Sequence, residues 1–411
     1  MTEHQVINPL STGVDYEPLA ERFRPIFQRI AEGAVQREQQ RELPYEPIRW
    51  LKEAGFGAVR VPVAYGGAGA SVPQLFQLLI ELAEADANVP QALRGHFAFA
   101  EDRLNAAPGP GRDLWFKRFV EGDIVGCAWT EIGAVEIGQV LTKVSPDGEH
   151  WRLDGEKFYS TGSIFSDWID VYAQRSDTGD NVIAAVRTRQ PGVEQSDDWD
   201  GFGQRTTGSG TARFTQARVE AGNVIDFATR FKYQTAFYQL VLLATLAGIG
   251  RAALRDVAEA VRLRQRVYSH GNAPQASADA QVQQVVGEIA ALVYVAEAAT
   301  LRAAQPAQRA YLARFAGDPK QEQAANLAAE LESATAQVAV TELIQRATSE
   351  LFNALGASDV RRGKALDRHW RNARTVSSHN PAIYKARIVG DWQINGNEPP
   401  FAWKVGNGPK S

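Results

Sequence analysis

The strongest constraint in this sequence is a change of hydrophobic period that occurs twice. Residues 17–40 place Leu19, Phe23, Ile26, Phe27, Ile30 and Ala34 at three- and four-residue intervals, the stripe of an amphipathic helix. Further helical stretches are expected over 48–53, closing at Gly55, over 73–87 and through 113–119. At Asp123 the period changes. DIVGCAWTE, WRLDGEKFYSTG, WIDVYAQRS, NVIAAVRTR and TARFTQARV are short β-branched or aromatic runs parted by Gly, Asp and Pro, as in the strands of a compact sheet. From Phe227 it changes back, to three long helices rich in Ala, Leu, Gln and Arg over about 233–268, 279–313 and 320–355, then a short one from Asp367. A chain ordered this way folds as an N-terminal helical domain (1–121), a central β domain (122–225) and a C-terminal helical bundle (226–394), with a Gly/Pro-rich tail (395–411). That is an α+β architecture, with helices and strands segregated rather than alternating.

Composition narrows the function classes. The 411 residues suffice for a large core, and a formal net charge of −4 gives no electrostatic case for nucleic acid or an anionic membrane. The longest apolar run, LVLLATLAGIG (240–250), is too short to cross a bilayer. MTEHQVINPLSTG at the N-terminus lacks the basic start and apolar stretch of a signal peptide. Cys127 is the only cysteine, so no intrachain disulfide forms and a cytoplasmic location is expected. Six histidines without HxxxH or Cys–His spacing predict no metal site. Gly66, Gly67 and Gly69 make a turn rather than a phosphate loop, because no Walker lysine follows.

Five segments then carry a resemblance. VPVAYGGAGAS follows the first helices; CAWTEIG spans 127–133; LDGEKFYSTG spans 153–162; DWDGFGQRTTGSGT comes late in the β domain; LDRHWRNAR lies near the C-terminus. In this order they resemble the acyl-CoA dehydrogenase superfamily, across roughly residues 17–390. The resemblance implies that fold and a flavin. A flavin needs donors along its N5/O4 edge and flat or apolar cover on its faces. Cys127, Trp129, Thr130 and Gly133 match the strand and loop that hold it, and Thr130 offers a hydroxyl. Phe158 and Ser160 match a ring-contacting aromatic and a hydroxyl donor near N5; as alternate residues of one strand they share a face.

What departs from the family matters more for the chemistry. Removal of a carbon-bound proton requires a carboxylate base beside the flavin. In the family that base follows the C-terminal Arg-Asp-Ala-Arg stretch, which places it here at or beside Asn380, with no acidic residue between Asp367 and Asp391. The family's other base position falls near Tyr238 or Gln239 and also lacks a carboxylate. RNARTVSSHNP, with His379, resembles instead the dibenzothiophene monooxygenase branch. That branch takes reduced flavin from a separate reductase, forms a C4a-hydroperoxide with O2 and oxygenates sulfur, nitrogen or sometimes carbon. His96 in RGHFAFAE and Ser160 match its other polar residues. His96, Ser160 and His379 are thus the catalytic candidates, as donors to an oxygenating intermediate sheltered from water.

The resemblance also implies a two-component monooxygenase of a small organosulfur or nitrogenous molecule, using FMNH2, with FAD as the alternative. An acyl-CoA dehydrogenase-like dehydrogenase or oxidase with a displaced base is the second reading. A flavin-binding protein of the alkylation-response type is the third, and the −4 charge speaks against it. Phe97, Trp199 and Tyr238 are expected to line the substrate pocket. One of Arg262, Arg264 and Arg266, with Arg266 preferred, is expected to reach the flavin phosphate of a neighbouring subunit. Ala-rich helices around 290–304 suit packing between subunits in a homotetramer.

Overall fold

In a computed structural model, residues 14–402 are described except Ala134, so the N-terminal leader reading and most of the tail lie outside the described residues. Among the described residues seven α-helices precede the sheet: α1 Tyr16–Glu21, α2 Arg24–Gln40, α3 Tyr45–Glu53, α4 Val72–Ala85, α5 Asn88–Ala92, α6 Arg94–Asn105 and α7 Pro110–Val120. The single expected stripe over 17–40 is two helices, with Pro25 in the first turn of the second. Helix α6 showed no period in the sequence because every one of its residues is buried, including Arg94, Glu101, Asp102 and Arg103. A helix enclosed on all sides needs no polar face.

The eight strands among the described residues are β1 Val125–Ala128, β2 Lys143–Asp147, β3 His150–Lys157, β4 Trp168–Arg175, β5 Asn181–Arg187, β6 Val193–Gln195, β7 Ala212–Glu220 and β8 Val224–Asp226. Their order is β6-β7-β3-β2-β4-β5-β8, with β1 also on β4. The five expected strands are present; β2, which carries Pro146, and the three-residue β6 and β8 are additional. Strand β1 pairs in parallel with residues 168–171 of β4, and β2 continues along the same edge at Gln174 and Arg175. The loop 129–142 therefore leaves the sheet through the gap between two strands laid end to end. That gap positions the candidate flavin loop.

The bundle comprises α8 Gln234–Leu263, α9 Ala280–Ala313, α10 Pro319–Glu350, α11 Asp367–Ser378 and α12 Ala382–Asn395. Residues 239–250 of α8 are all buried. Gly248 lets α4 press against it: a Cβ there would stand 2.3 Å from the Ala83 Cβ and 2.6 Å from the Ile80 carbonyl. By length and composition α8 and α9 could each cross a membrane, but α8 is the core helix, with 83% of its most apolar window buried. Helix α8 stops at Leu263, short of the expected 268, because Arg264 turns extended at ψ 119°.

Candidate active site

Helix α6 and strand β1 meet at Gly95 and Cys127. A Cβ on Gly95 would lie 2.9 Å from both the backbone nitrogen and the Cβ of Cys127, so only glycine permits this approach. The Cys127 thiol is spent on the Thr161 carbonyl at 3.7 Å, and burial pushes its pKa up, which suits a packing role. Trp129, one residue past β1, donates from Nε1 to Asp170 at 2.8 Å. Its ring meets Tyr172, Phe227 and Tyr238 at 5.7 to 5.8 Å between centroids, and the Arg230 guanidinium lies over it at 4.8 Å. Arg230 in turn pairs with Asp170 at 3.2 Å, both side chains being almost fully buried.

Thr130 is fixed through its backbone: its carbonyl accepts from Phe158 N at 2.8 Å, an isolated bridge between the candidate flavin loop and the residue after β3. Glu131, next in line, organises the loop from within. It accepts from Leu141 N, from Thr142 N and Oγ1, and from Lys157 Nζ, all at 2.7 to 2.8 Å. Burial pushes the Glu131 carboxyl up, but these donors outweigh it and hold its pKa below the ordinary range. Gly133 lies exposed in the same loop at φ +96°.

The expectation that Phe158 and Ser160 alternate along one strand is corrected. Strand β3 ends at Lys157 and Tyr159 takes φ +56°, so the alternation is broken between them. Ser160 is buried and its Oγ donates to the Gly210 carbonyl at 2.6 Å. Its hydrogen is thereby used, leaving the hydroxyl as an acceptor rather than the donor expected from sequence. Trp199 reaches this region by an edge contact with Tyr159 at 6.1 Å, its indole N–H held by the Gly203 and Gln204 carbonyls.

The two histidines part company. His96 is fully buried, with Nδ1 accepting from Val125 N at 3.2 Å and Nε2 donating to the Gly57 carbonyl at 2.8 Å. Phe97 and Phe119 meet its ring edge-on. Neither nitrogen is left for a ligand, and the expected donor role of His96 is corrected to a structural one. Phe97 is likewise core, packed on Phe56 with no exposed surface, rather than a pocket wall. Burial holds His96 at a pKa of about 4, and buried His369, bound to Asp256 at 2.9 Å, also at about 4. Because both are depressed in the folded protein, the stability they contribute is full above about pH 6.5. It is lost as pH falls toward 4, by about 3 kcal/mol for each. Urea unfolding at pH 7 and pH 4 checks this, and His369→Asn should shrink the difference by roughly one histidine's share.

His379 follows the C-terminus of α11. It is exposed to solvent. The nearby Arg94 guanidinium first, and burial second, hold its pKa down to about 3, so it is neutral at working pH. Its neighbour Asn380 donates from Nδ2 to Gln239 Oε1 at 2.8 Å, and Gln337 donates to the Asn380 carbonyl at 2.6 Å. The two positions at which the fold would hold a carboxylate base therefore meet, and both are amides. Tyr238, beside Gln239, has a buried hydroxyl without a hydrogen-bond partner, and Arg94 stacks on its ring at 5.2 Å. A buried carboxylate of α10, Glu330, meets the start of α8; burial pushes it up to about 7, and it accepts from Ala236 N at 2.8 Å.

The acyl-CoA dehydrogenase N-terminal domain matches residues 16–106, and the acyl-CoA dehydrogenase C-terminal domain matches 240–382. The chain belongs to the acyl-CoA dehydrogenase family. Within that family it is 26% identical over 389 residues to the "Probable FMNH2-dependent monooxygenase SfnC" of Pseudomonas putida, covering 92% of this chain and 94% of that protein. It is 27% identical to the dibenzothiophene monooxygenase of Mycolicibacterium goodii, covering 85% and 87%. The FMN-bound crystal structure of TdsC from Paenibacillus sp. A11-2 superposes with a TM-score of 0.85 at 27% identity, covering 93% of this chain and 98% of that one.

The residues present fit a flavin. Trp129 and Phe158 offer part-exposed flat rings, the Ser160 hydroxyl keeps acceptor capacity, and the Tyr238 hydroxyl and the Arg94 Nε have no hydrogen-bond partner. Arg266 is exposed beyond the far end of α8, roughly 38 Å along the helix axis from Tyr238. One mononucleotide cannot touch both within a single chain, so an Arg266 contact requires a second copy. Sequence reasoning passed over Arg94, Glu131 and Lys157. The signal for Arg94 was a lone cation in the otherwise apolar run ALRGHFAFA.

Proposed function

We propose that the protein is a two-component monooxygenase that uses FMNH2 and O2 to oxygenate a small organosulfur or nitrogenous substrate. The observation that carries this is the Asn380–Gln239 hydrogen bond, which fills both base positions of a dehydrogenase with groups that cannot take a proton at neutral pH. The FMNH2-dependent and FMN-bound relatives support FMN rather than FAD. Bound reduced flavin supplies the electrons that activate O2. Thr130, Phe158 and Ser160 hold it against the β domain, Tyr238 and Trp129 wall the opposite space from water, and His379 offers hydrogen bonding to the reacting oxygen. Trp199 borders the same space.

Reducing equivalents come from a separate flavin reductase in the cytoplasm. The pure protein mixed with FMN and NADH should show no steady NADH consumption, whereas photoreduced FMN, O2 and a thioether should yield sulfoxide. NADH turnover without a reductase sinks this reading, as does anaerobic reduction of bound flavin by an acyl-CoA.

The working unit is a homotetramer with the dimer as its minimal part. Helix α9 buries one face through Ile289, Val293, Ala296 and Thr300, while only 22% of its most apolar window is covered and Tyr294 stands 75% exposed. An apolar face of this extent calls for a partner. Light scattering should give four copies; a monomer that still binds FMN tightly contradicts the assembly.

A further inference from the structure

Among the described residues six arginines are buried, and five of them have a carboxylate. Arg37 pairs with Asp86, Arg60 with Glu101, Arg103 with Asp102, Arg118 with Glu220 and Arg230 with Asp170. The sixth is Arg94, the first residue of α6, with 7% of its surface exposed. Among the described residues its side chain makes no hydrogen bond and no ion pair, and its Nε is sealed from solvent. A guanidinium keeps its charge in any surroundings, and leaving one buried without an anion is costly. A fold that pairs five of six has left the sixth open at one particular place.

That place is the candidate site. The Arg94 guanidinium lies 5.2 Å from the centre of the Tyr238 ring, whose buried hydroxyl is also without a partner. Tyr238 faces Trp129 at 5.7 Å, and the adjoining Gln239 holds the loop that carries His379. Arg94 also acts electrostatically on His379, holding its imidazole neutral. An unspent cation and an unspent phenol thus lie on the same pair of residues, beside the Trp129 ring. A planar oxyanion would complete both, accepting from the guanidinium fork and from the phenol.

We propose that Arg94 is a substrate-binding residue that receives an oxyanion, so that the compound oxygenated is a small organosulfur molecule bearing a carboxylate or sulfinate, with Tyr238 donating a second hydrogen bond to it. The inference rests on the monooxygenase reading for the oxygenation, though not for the anion site. It sorts substrates by charge as well as by shape: a neutral thioether of equal size leaves the buried guanidinium unpaired and binds more weakly.

Calorimetry tests it with defined probes, in the presence and absence of oxidised FMN. The probes are (methylthio)acetate and (phenylthio)acetate, each against its neutral amide, together with benzenesulfinate. The wild type should bind at least one of these anions tenfold or more tighter than its neutral counterpart, or benzenesulfinate tenfold tighter than either amide. Arg94→Gln should abolish that preference without weakening amide binding, and Arg94→Lys should restore part of it. The Arg94→Gln protein should melt no lower than the wild type, since an uncompensated buried charge has been removed. A marked fall in its melting temperature would make Arg94 structural and overturn the proposal. So would equal binding of anions and amides, or binding of neither, by the wild type. Affinities for FMN and riboflavin separate the remaining source of an oxyanion: if Arg94→Gln weakens FMN but not riboflavin, the guanidinium serves the flavin phosphate and the proposal fails. Should the anions bind through Arg94 while reduced FMN and O2 oxygenate none of a broad thioether panel, the monooxygenase reading fails and the anion site stands.

Discussion

His379→Ala should lower oxygenation about a hundredfold, the scale of losing one preorganised donor from a reacting oxygen, while the protein remains folded. His379 lies in a loop end whose anchoring runs through Asn380 to Gln239 and Gln337, so its imidazole can be removed without loosening those bonds. Reduced flavin should still consume O2, with hydrogen peroxide accumulating in place of oxygenated product. Peroxide yield and product yield measured on the same sample check this, and unchanged coupling would remove His379 from the chemistry. His96→Ala should fail differently. It strips the Val125 amide and the Gly57 carbonyl of their partners and opens a hole among Phe97 and Phe119, a loss of about 3–5 kcal/mol. Whatever fraction stays folded should retain coupling. The two variants therefore separate a residue that acts in the site from one that holds the fold.

Lys157→Met should be nearly as damaging, though neither it nor Glu131 touches the proposed substrate. The Lys157 side chain is fully buried and bonds Glu131 Oε1 at 2.7 Å and the Trp129 carbonyl at 3.2 Å. Burial pulls the lysine pKa down and Glu131 opposes it, so the charge on each depends on the other. Removing one member of such a pair leaves an uncompensated buried ion, a loss of about 3–5 kcal/mol. The loop 129–142 is hung on Glu131, so flavin affinity should fall together with stability. Glu131→Gln keeps the shape but not the charge and should show the same two losses, smaller. Denaturation midpoints and FMN titrations of both variants test it; unaltered FMN affinity in Lys157→Met would detach this pair from the site.

The sequence was informative wherever the physics is local. Helical stripes, β-branched runs and turn residues depend on neighbours within a few positions, so the α-β-α order and the five principal strands could be read directly. An absent carboxylate is also visible in one dimension, and the amides at Asn380 and Gln239 already excluded a base before their contact was known. Where local rules ran on too far they failed: the helical period continued past Leu263 because no Gly or Pro follows until Gly271. Tyr159, at φ +56°, reversed a strand that read as continuous.

Which of the two histidines has its ring nitrogens spent inside the fold was decided only by tertiary structure. His96 and His379 look alike in a string of letters, but one finds both its partners on segments 39 and 29 residues away, and the other has Arg94 for a neighbour across the chain. The same holds for Arg94 itself. A buried charge is recognised by the partner it lacks, and partners come from packing between distant segments, which hydrophobic period and residue type do not encode.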